Sequence, residues 1–132
     1  MIVAGIGCKK DAPQGSIEAV IMLALETCGV TRERLAALAT HASKRSENGI
    51  EQVSVLWGLP LLAFTTAEME GVTDQVETHS ERVVELKGVP SVAESAALTG
   101  AGKGARLLAA RVSTHDATCA IAEGRGPQEA AP

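Results

Sequence analysis

The apolar positions in the first half of the chain form short continuous runs, separated by stretches with helical spacing. The runs at residues 2–6, 35–39 and 61–64 predict buried strands, since each is short, apolar and bounded by glycine, proline or polar residues. Residues 35–39 are rich in alanine, which favours a helix. Their short, continuously apolar pattern nevertheless indicates a strand.

Two helices are predicted between these strands. Residues 16–28 place isoleucine, valine and leucine on one wide face, with Ser16 as N-cap and Gly29 as the stop. Residues 50–57 show the same spacing and end at Gly58. The order strand, helix, strand predicts a right-handed parallel βαβ unit.

Further along the chain, capping residues indicate three more helix starts, at Thr65, Ser80 and Ser91. Glu68 lies three positions after Thr65, and Glu94 lies three positions after Ser91. Both pairs have the spacing of a capping box, in which side chain and backbone bond reciprocally.

The end of the chain predicts strands again. Residues 105–112 and 117–122 are strand-like, and the four residues between them suit an antiparallel hairpin at the sheet edge. We therefore expect an α/β fold: a single-domain sheet with a parallel βαβ start, an antiparallel C-terminal hairpin and helices on both faces. Residues 1–123 would form the domain, and residues 124–132 a flexible tail.

Composition excludes several classes of partner. The chain has 132 residues, one Trp, one Phe and no Tyr, which argues against stacking on single-stranded nucleic acid. Its net charge of −4 argues against general binding to a phosphate backbone. No apolar run approaches the ~20 residues of a membrane helix, and the start lacks signal-peptide features. A cytoplasmic protein without nucleic-acid or membrane partners is predicted.

Two polar loops follow the first two predicted strands, at residues 7–15 and 40–49. Both leave the carboxyl edge of a parallel sheet, where open α/β folds bind ligands. They hold Lys9, Lys10, Lys44 and Arg45, a large share of the 12 basic residues in an acidic protein. This pattern indicates a polyanionic small-molecule ligand, and the alternative is that these side chains are merely solvated.

Three scattered cysteines, Cys8, Cys28 and Cys119, include no C-x-x-C pair, which argues against a structural zinc site. Cys28 and Cys119 lie in apolar patterns that predict small buried side chains. Cys8 lies beside Lys9 and Lys10, which would lower the pKa of its thiol and make it a candidate nucleophile.

Six stretches resemble, in order and at matching spacing, the CobE family, whose module also forms the C-terminal domain of CbiG proteins. They are Gly5-Ile6-Gly7-Cys8-Lys9-Lys10, Ala39-Thr40 with Lys44 and Glu47, Gly58-Leu59-Pro60-Leu61, Phe64-Thr65-Thr66-Ala67-Glu68, Gly88-Val89 with Val92-Ala93-Glu94, and Ala117-Thr118 with Ala120-Ile121-Ala122. The resemblance extends from residue 2 to about residue 123.

The resemblance implies a role in cobalamin biosynthesis, in the steps that build the corrin ring. CbiG proteins are associated with opening a ring-A lactone of a cobalt-containing precorrin, an activity connected with regions N-terminal to this module. The present chain starts at the module, so hydrolase activity is not expected from it alone. It resembles the stand-alone CobE form.

Three hypotheses follow. In the first, a precorrin-type tetrapyrrole rich in carboxylates binds at the carboxyl edge, to Gly7, Cys8, Lys9, Lys10, Thr40, Lys44 and Glu47. In the second, the protein is an enzyme of the same pathway that uses Cys8, Lys44 or Glu47. In the third, it is a module that docks on other corrin-pathway enzymes.

No metal or cofactor is predicted as part of the protein. The histidines His41, His79 and His115 offer imidazoles to cobalt, but no second ligand lies at useful spacing from any of them.

Overall fold

The computed structural model describes residues 1–77 and 91–126. Within these residues the strands are β1 (Ile2–Cys8), β2 (Leu35–His41), β3 (Leu61–Phe64), β4 (Arg106–Leu107), β5 (Val112–Ser113) and β6 (Ala117–Glu123). The helices are α1 (Gln14–Cys28), α2 (Asn48–Trp57), α3 (Thr66–Met69) and α4 (Val92–Ala101). Short 3-10 turns lie at Arg32–Arg34, Ala42–Lys44 and Glu70–Gln75.

The parallel half of the sheet confirms the predicted βαβ start. β1 pairs with β2, and β2 with β3, both in parallel. Residues 35–39 are a strand and not a helix, because they pair in parallel with β1, and from Leu38 onwards with β3 as well. α1 and α2 end where the sequence indicated, at Gly29 (φ 70°) and Gly58 (φ 65°). Glycine adopts this left-handed conformation without a steric penalty.

The antiparallel half contains the predicted C-terminal hairpin, since β5 pairs antiparallel with β6 across a short turn, but β6 does not lie at the sheet edge. β6 pairs with β1 along its whole length, from Ile2 opposite Glu123 to Cys8 opposite Ala117. It therefore lies inside the sheet, in the order β3-β2-β1-β6-β4. Residues 105–112 do not form one strand: β4 and β5 are two short pieces, and each pairs with β6.

A buried carboxylate accounts for the break between β4 and β5. The backbone N–H of Arg111 donates to Glu94 Oε2 of α4 at 2.9 Å and so does not continue the strand ladder. Glu94 itself is fully buried. Because a buried carboxylate must be compensated by hydrogen bonds, the Arg111 N–H bonds to the side chain of this helix.

Helices cover both faces of the sheet, as predicted. Alternate residues of β1 belong to two separate cores. Ile2, Ala4 and Ile6 pack with the apolar faces of α1 and α2. Val3 packs on the other side with the alanines of α4.

α4 lies unusually close to β1. A Cβ added at Gly5 would overlap the carbonyl oxygen of Ala93 and lie 2.5 Å from the nitrogen of Ala97. Small residues on both elements therefore bring backbone against backbone, and the sequence Val92-Ala93-Glu94-Ser95-Ala96-Ala97 supplies them on the helix.

One helix start, that of α1, differs from the sequence analysis. α1 begins at Gln14 with Pro13 at the N-cap, so Ser16 does not cap it. The Ser16 hydroxyl donates instead to Asp116 Oδ2 at 3.0 Å. α4 begins as predicted after Ser91, whose side chain accepts from the N–H of Glu94, and the Glu94 carboxylate accepts from the backbone of Glu77 and Arg111. The helix predicted from Ser80 lies outside the described residues.

The last described residues are hydrogen-bonded to the start of the chain and to the end of α4. Gly124 N–H donates to the carbonyl of Met1 at 3.0 Å, and Gly126 N–H donates to that of Ala101 at 2.8 Å. The rest of the predicted tail, residues 127–132, lies outside the described residues.

Candidate functional site

The candidate site lies at the carboxyl edge of the parallel strands, where β1, β2 and β3 end at Cys8, His41 and Phe64. Three loops leave this edge: residues 9–13, residues 42–47 and the Thr65 turn. Because β6 runs antiparallel to β1, its first residue lies opposite Cys8. The turn at residues 114–116 therefore joins the same edge, which the sequence analysis did not foresee.

The first two loops are joined by Glu47. Its Oε2 accepts the backbone N–H of Asp11 at 3.0 Å, and its Oε1 lies 3.8 Å from Lys44 Nζ. The Lys44 and Glu47 side chains are only 16% and 13% exposed. The structure thus brings Lys44 and Glu47, predicted from the second loop, against the first loop.

Backbone packing holds the loops together as well. Gly49, in the first turn of α2, lies against the backbone of residues 12–14. A Cβ there would overlap the Ala12 carbonyl oxygen and lie 3.2 Å from Gln14 N. Ala12 is buried in the core between α1 and α2. Glycine at position 49 is therefore what lets α2 begin beside the first loop.

Lys9, Lys10 and Arg45 are exposed at this edge. Lys9 N–H donates to the Asp116 carbonyl at 2.9 Å, and Ala12 N–H donates to the Lys9 carbonyl at 3.2 Å. The loop backbone is thus fixed while the two lysine side chains reach solvent. This leaves their ammonium groups available to an anion.

Gly7 and Thr40 contribute to the framework of the edge. Thr40 is fully buried, and its hydroxyl donates to the Ile6 carbonyl at 2.7 Å, which ties β2 to β1. A Cβ at Gly7 would lie 2.8 Å from Thr118 Oγ1. The Thr118 hydroxyl in turn donates to the Gly7 carbonyl at 3.4 Å.

His41 connects the second loop to the start of α3. Its Nδ1 accepts the N–H of Ser43 at 3.1 Å, and its Nε2 lies 2.9 Å from Thr66 Oγ1. Since a backbone N–H can only donate, Nδ1 is the unprotonated nitrogen and Nε2–H donates to Thr66. His41 therefore holds the Thr66 hydroxyl at the edge. His115 is exposed in the 114–116 turn, and His79 lies outside the described residues.

The three cysteines occupy different environments. Cys8 is half-buried at the end of β1, at the candidate site. Cys119 is buried in the core, and burial, with a smaller effect from Cys28, raises the pKa of its thiol. Burial also raises the pKa of Cys28, which is only partly buried. The lowered pKa expected for Cys8 stays a prediction.

The arrangement is suited to binding carboxylates. The ammonium groups of Lys9 and Lys10 are exposed, while the Lys44 ammonium and the Asp11 N–H contact the Glu47 carboxylate. Groups of this kind form charge-assisted bonds with carboxylates. Within residues 1–77 and 91–126, no group of three or more His, Cys, Asp or Glu side chains is placed to hold a metal ion.

Comparison with known proteins identifies the family of this chain. The sequence model of the family described as "Cobalamin synthesis G C-terminus" matches residues 2–122. The chain belongs to this CobE/CbiG C-terminal family. It is thus a cobalamin biosynthesis protein of the CobE/CbiG type.

Individual relatives agree with this family. Protein CobE of Sinorhizobium sp is 30% identical over 121 residues, covering 92% of this chain and 79% of that protein. The crystal structure of CobE, described as a protein from the cobalamin biosynthetic pathway, matches with a TM-score of 0.87 at 29% identity, over 97% of this chain and 93% of that one.

A longer relative is also similar. Cobalt-precorrin-5A hydrolase of Priestia megaterium is 24% identical over 102 residues, which are 77% of this chain but 27% of the hydrolase. Among the described residues of this family member, no helix combines the length and apolarity needed to cross a membrane.

Proposed function

We propose that this protein binds a carboxylate-rich tetrapyrrole intermediate of corrin-ring construction at the carboxyl edge of its sheet. The observation that carries the proposal is the convergence of Lys9, Lys10 and Lys44 on one edge of a protein whose net charge is −4. Membership of a cobalamin biosynthesis family supports a precorrin-type ligand.

Electrostatics favours such a ligand over other anions. Precorrins carry several acetate and propionate groups around one ring, and each needs its own cation or N–H donor. Lysines spread over two loops match several separated carboxylates better than one compact phosphate. A local positive patch on a negative protein also attracts the ligand while repelling it elsewhere.

Two exposed apolar side chains lie in a depression next to the loops, whose other lining residues are polar. This depression of about 460 Å³ is lined by Gln14, Asn48, Glu51, Gln52, Val55 and Leu56. Val55 and Leu56 are 81% and 61% exposed. Contact with the face of a ring would remove this apolar surface from water, which is favourable.

The test is a titration with cobyrinic acid, a corrinoid whose side chains end in carboxylates. Three proteins are compared: wild type, a Lys9→Ala/Lys44→Ala double variant and a Lys103→Ala control. Each partly desolvated charged hydrogen bond contributes ~1.5–3 kcal/mol to the binding free energy, and each exposed ion pair contributes ~0.2–1 kcal/mol. We therefore expect the double variant to bind roughly 10- to 1000-fold more weakly. Lys103 is exposed beyond the end of α4, away from the site, and its loss should leave affinity unchanged.

Ionic strength provides a second readout. Added salt should weaken the wild-type complex and affect the double variant less, because fewer charges remain to be screened. Equal affinity of wild type and double variant would place the ligand elsewhere. Absence of binding by wild type would favour a module that docks on a pathway enzyme.

An enzymatic role is the alternative, and the similarity to cobalt-precorrin-5A hydrolase favours it. Cys8, Lys44 and Glu47 are then the candidate catalytic groups, since all three lie at the carboxyl edge. Incubation with a purified cobalt-precorrin followed by mass spectrometry tests this role. Recovery of unchanged ligand would exclude catalysis of that step by this chain alone.

A further inference from the structure

We propose that the backbone N–H of Asp11 and the Lys44 ammonium form a carboxylate subsite, which the Glu47 side chain occupies until a ligand carboxylate replaces it. The inference rests on the proposed function and specifies one of its contacts. Glu47 then serves as an internal stand-in for an acetate or propionate group.

The geometry at Glu47 is that of a bound carboxylate. One oxygen accepts the Asp11 N–H at 3.0 Å while the other lies 3.8 Å from Lys44 Nζ. Both side chains are largely shielded from water, at 13% and 16% exposure. The two donors come from different loops, so they meet a carboxylate from two sides.

The donor at Asp11 is formed by the loop itself. Asp11 has a φ of 63°, a left-handed conformation that residues other than glycine rarely adopt. This conformation is held from both ends, because the N–H groups of Lys9 and Ala12 bond to the Asp116 and Lys9 carbonyls. The Asp11 N–H therefore keeps its position when the Glu47 side chain leaves.

The carboxylate of Glu47 is able to leave. Glu47 is the N-cap of α2 and makes no side-chain capping bond to it. Its carboxylate is joined to the backbone by rotatable single bonds, so rotation carries it out of the subsite without moving the helix. The longer of its two contacts, at 3.8 Å, is an ion pair and not a close hydrogen bond.

Competition by Glu47 makes the site selective for ligands with several carboxylates. When a monocarboxylate binds at the subsite, the favourable interactions it forms are offset by those that the Glu47 carboxylate gives up. A macrocycle with many carboxylates gains further binding free energy from Lys9 and Lys10, which are exposed beside the subsite. Competition by the Glu47 carboxylate thus keeps the affinity of the site for small metabolic acids low.

The first arm of the test uses sodium propionate and the Asp11 amide signal in NMR spectra of wild type, Glu47→Ala and a Glu33→Ala control. Glu33 is an exposed glutamate in the turn before β2, at the opposite edge of the sheet. In the Glu47→Ala protein, propionate should shift the Asp11 amide signal until the site is saturated. The dissociation constant for propionate should be at least about tenfold lower than in wild type or control. Propionamide, which lacks the charge, should have no such effect. If the Asp11 amide signal of Glu47→Ala does not shift when propionate is added, the inference is overturned.

The second arm uses cobyrinic acid and its amidated relative cobinamide. Glu47→Ala should bind cobyrinic acid about three- to tenfold more tightly than wild type, with no gain for cobinamide. Unchanged or weaker binding of cobyrinic acid would overturn the inference and leave the proposed function standing. A propionate response without any cobyrinic acid binding would instead retain the subsite and overturn the proposed function. If Glu47→Ala does not fold, Glu47→Gln provides the same comparison, with a smaller gain expected.

Discussion

Cys119 illustrates at the scale of one residue how burial alters chemistry. It lies in the middle of β6, between β1 and the edge strands, and its side chain is fully buried. Burial raises the pKa of the thiol above the ordinary value of 9.0, because a thiolate would be separated from water.

This raised pKa predicts alkaline destabilisation. Below the pKa of the unfolded thiol, Cys119 is protonated in both states and has no effect on pH dependence. Above it, the unfolded chain loses a proton that the folded chain keeps, so stability falls by about 1.4 kcal/mol per pH unit. Urea unfolding of wild type and Cys119→Ala at pH 7 and pH 10 should show that the free energy of unfolding decreases more in wild type. An equal decrease in the two proteins would contradict the prediction.

Individual residues were predictable where their partners are near in sequence. The capping box of Thr65 and Glu68 is present as predicted, with both reciprocal bonds, because it involves only four consecutive residues. Ser16 was misassigned because its partner Asp116 is 100 positions away. At the candidate site, the ligand-binding roles of Lys44 and Glu47 stay predictions, while the contact of Glu47 with the backbone N–H of Asp11 is one that no side-chain pattern indicates.

At the scale of elements, the packing of α4 on β1 depends on the absence of a side chain at Gly5. Gly5→Ala should destabilise the protein by about 1–3 kcal/mol or more, because the added Cβ overlaps backbone atoms of α4 that have no rotamer to change. Gly15→Ala is the matched control, since nothing lies within 4 Å of a Cβ at that position.

Urea unfolding monitored by circular dichroism measures both variants. Gly15→Ala should be neutral or slightly stabilising, as alanine is the better helix former. Equal stability of the two variants would show that α4 moves away from β1 without loss.

Elements with local patterns were predicted well. β3 has the bounds expected from residues 61–64, and the helix stops at Gly29 and Gly58 are correct. Residues 105–112 were predicted as one strand because most of them are apolar. The break depends on Glu94, whose position against this segment is set by tertiary packing and cannot be inferred from local spacing.

At the scale of the whole molecule, Glu94 connects segments that are distant in sequence. Its two oxygens accept the N–H groups of Glu77 and Arg111, at 3.1 and 2.9 Å, from a fully buried position at the start of α4. One side chain thus holds the chain before α4 and the chain after it.

Glu94→Ala should therefore destabilise the fold by about 2–4 kcal/mol, since two backbone N–H groups lose their acceptor in a buried place. Glu70→Ala, at an exposed glutamate in the preceding 3-10 turn, is the control and should change stability by less than about 0.5 kcal/mol. Thermal unfolding by calorimetry distinguishes them. Similar midpoints for the two variants would contradict this role.

The overall topology was only partly predictable for the same reason. Strand order in the parallel half follows from the short βαβ connection. The insertion of β6 beside β1 pairs residues more than 100 positions apart, and nothing in either strand identifies the other. Placing the 114–116 turn at the site was therefore beyond the reach of the sequence.

The pairing of β1 with β6 has a consequence for protein engineering. The Met1 ammonium donates to the Gly124 carbonyl at 2.7 Å, so the two ends of the described chain meet at the edge of the sheet farthest from Lys44. A short peptide from Gly126 to Met1 would span only a small gap and would not cross the loops at residues 9–13 and 42–47. A variant of residues 1–126 that is circularly permuted in this way should therefore keep Lys9 and Lys10 exposed.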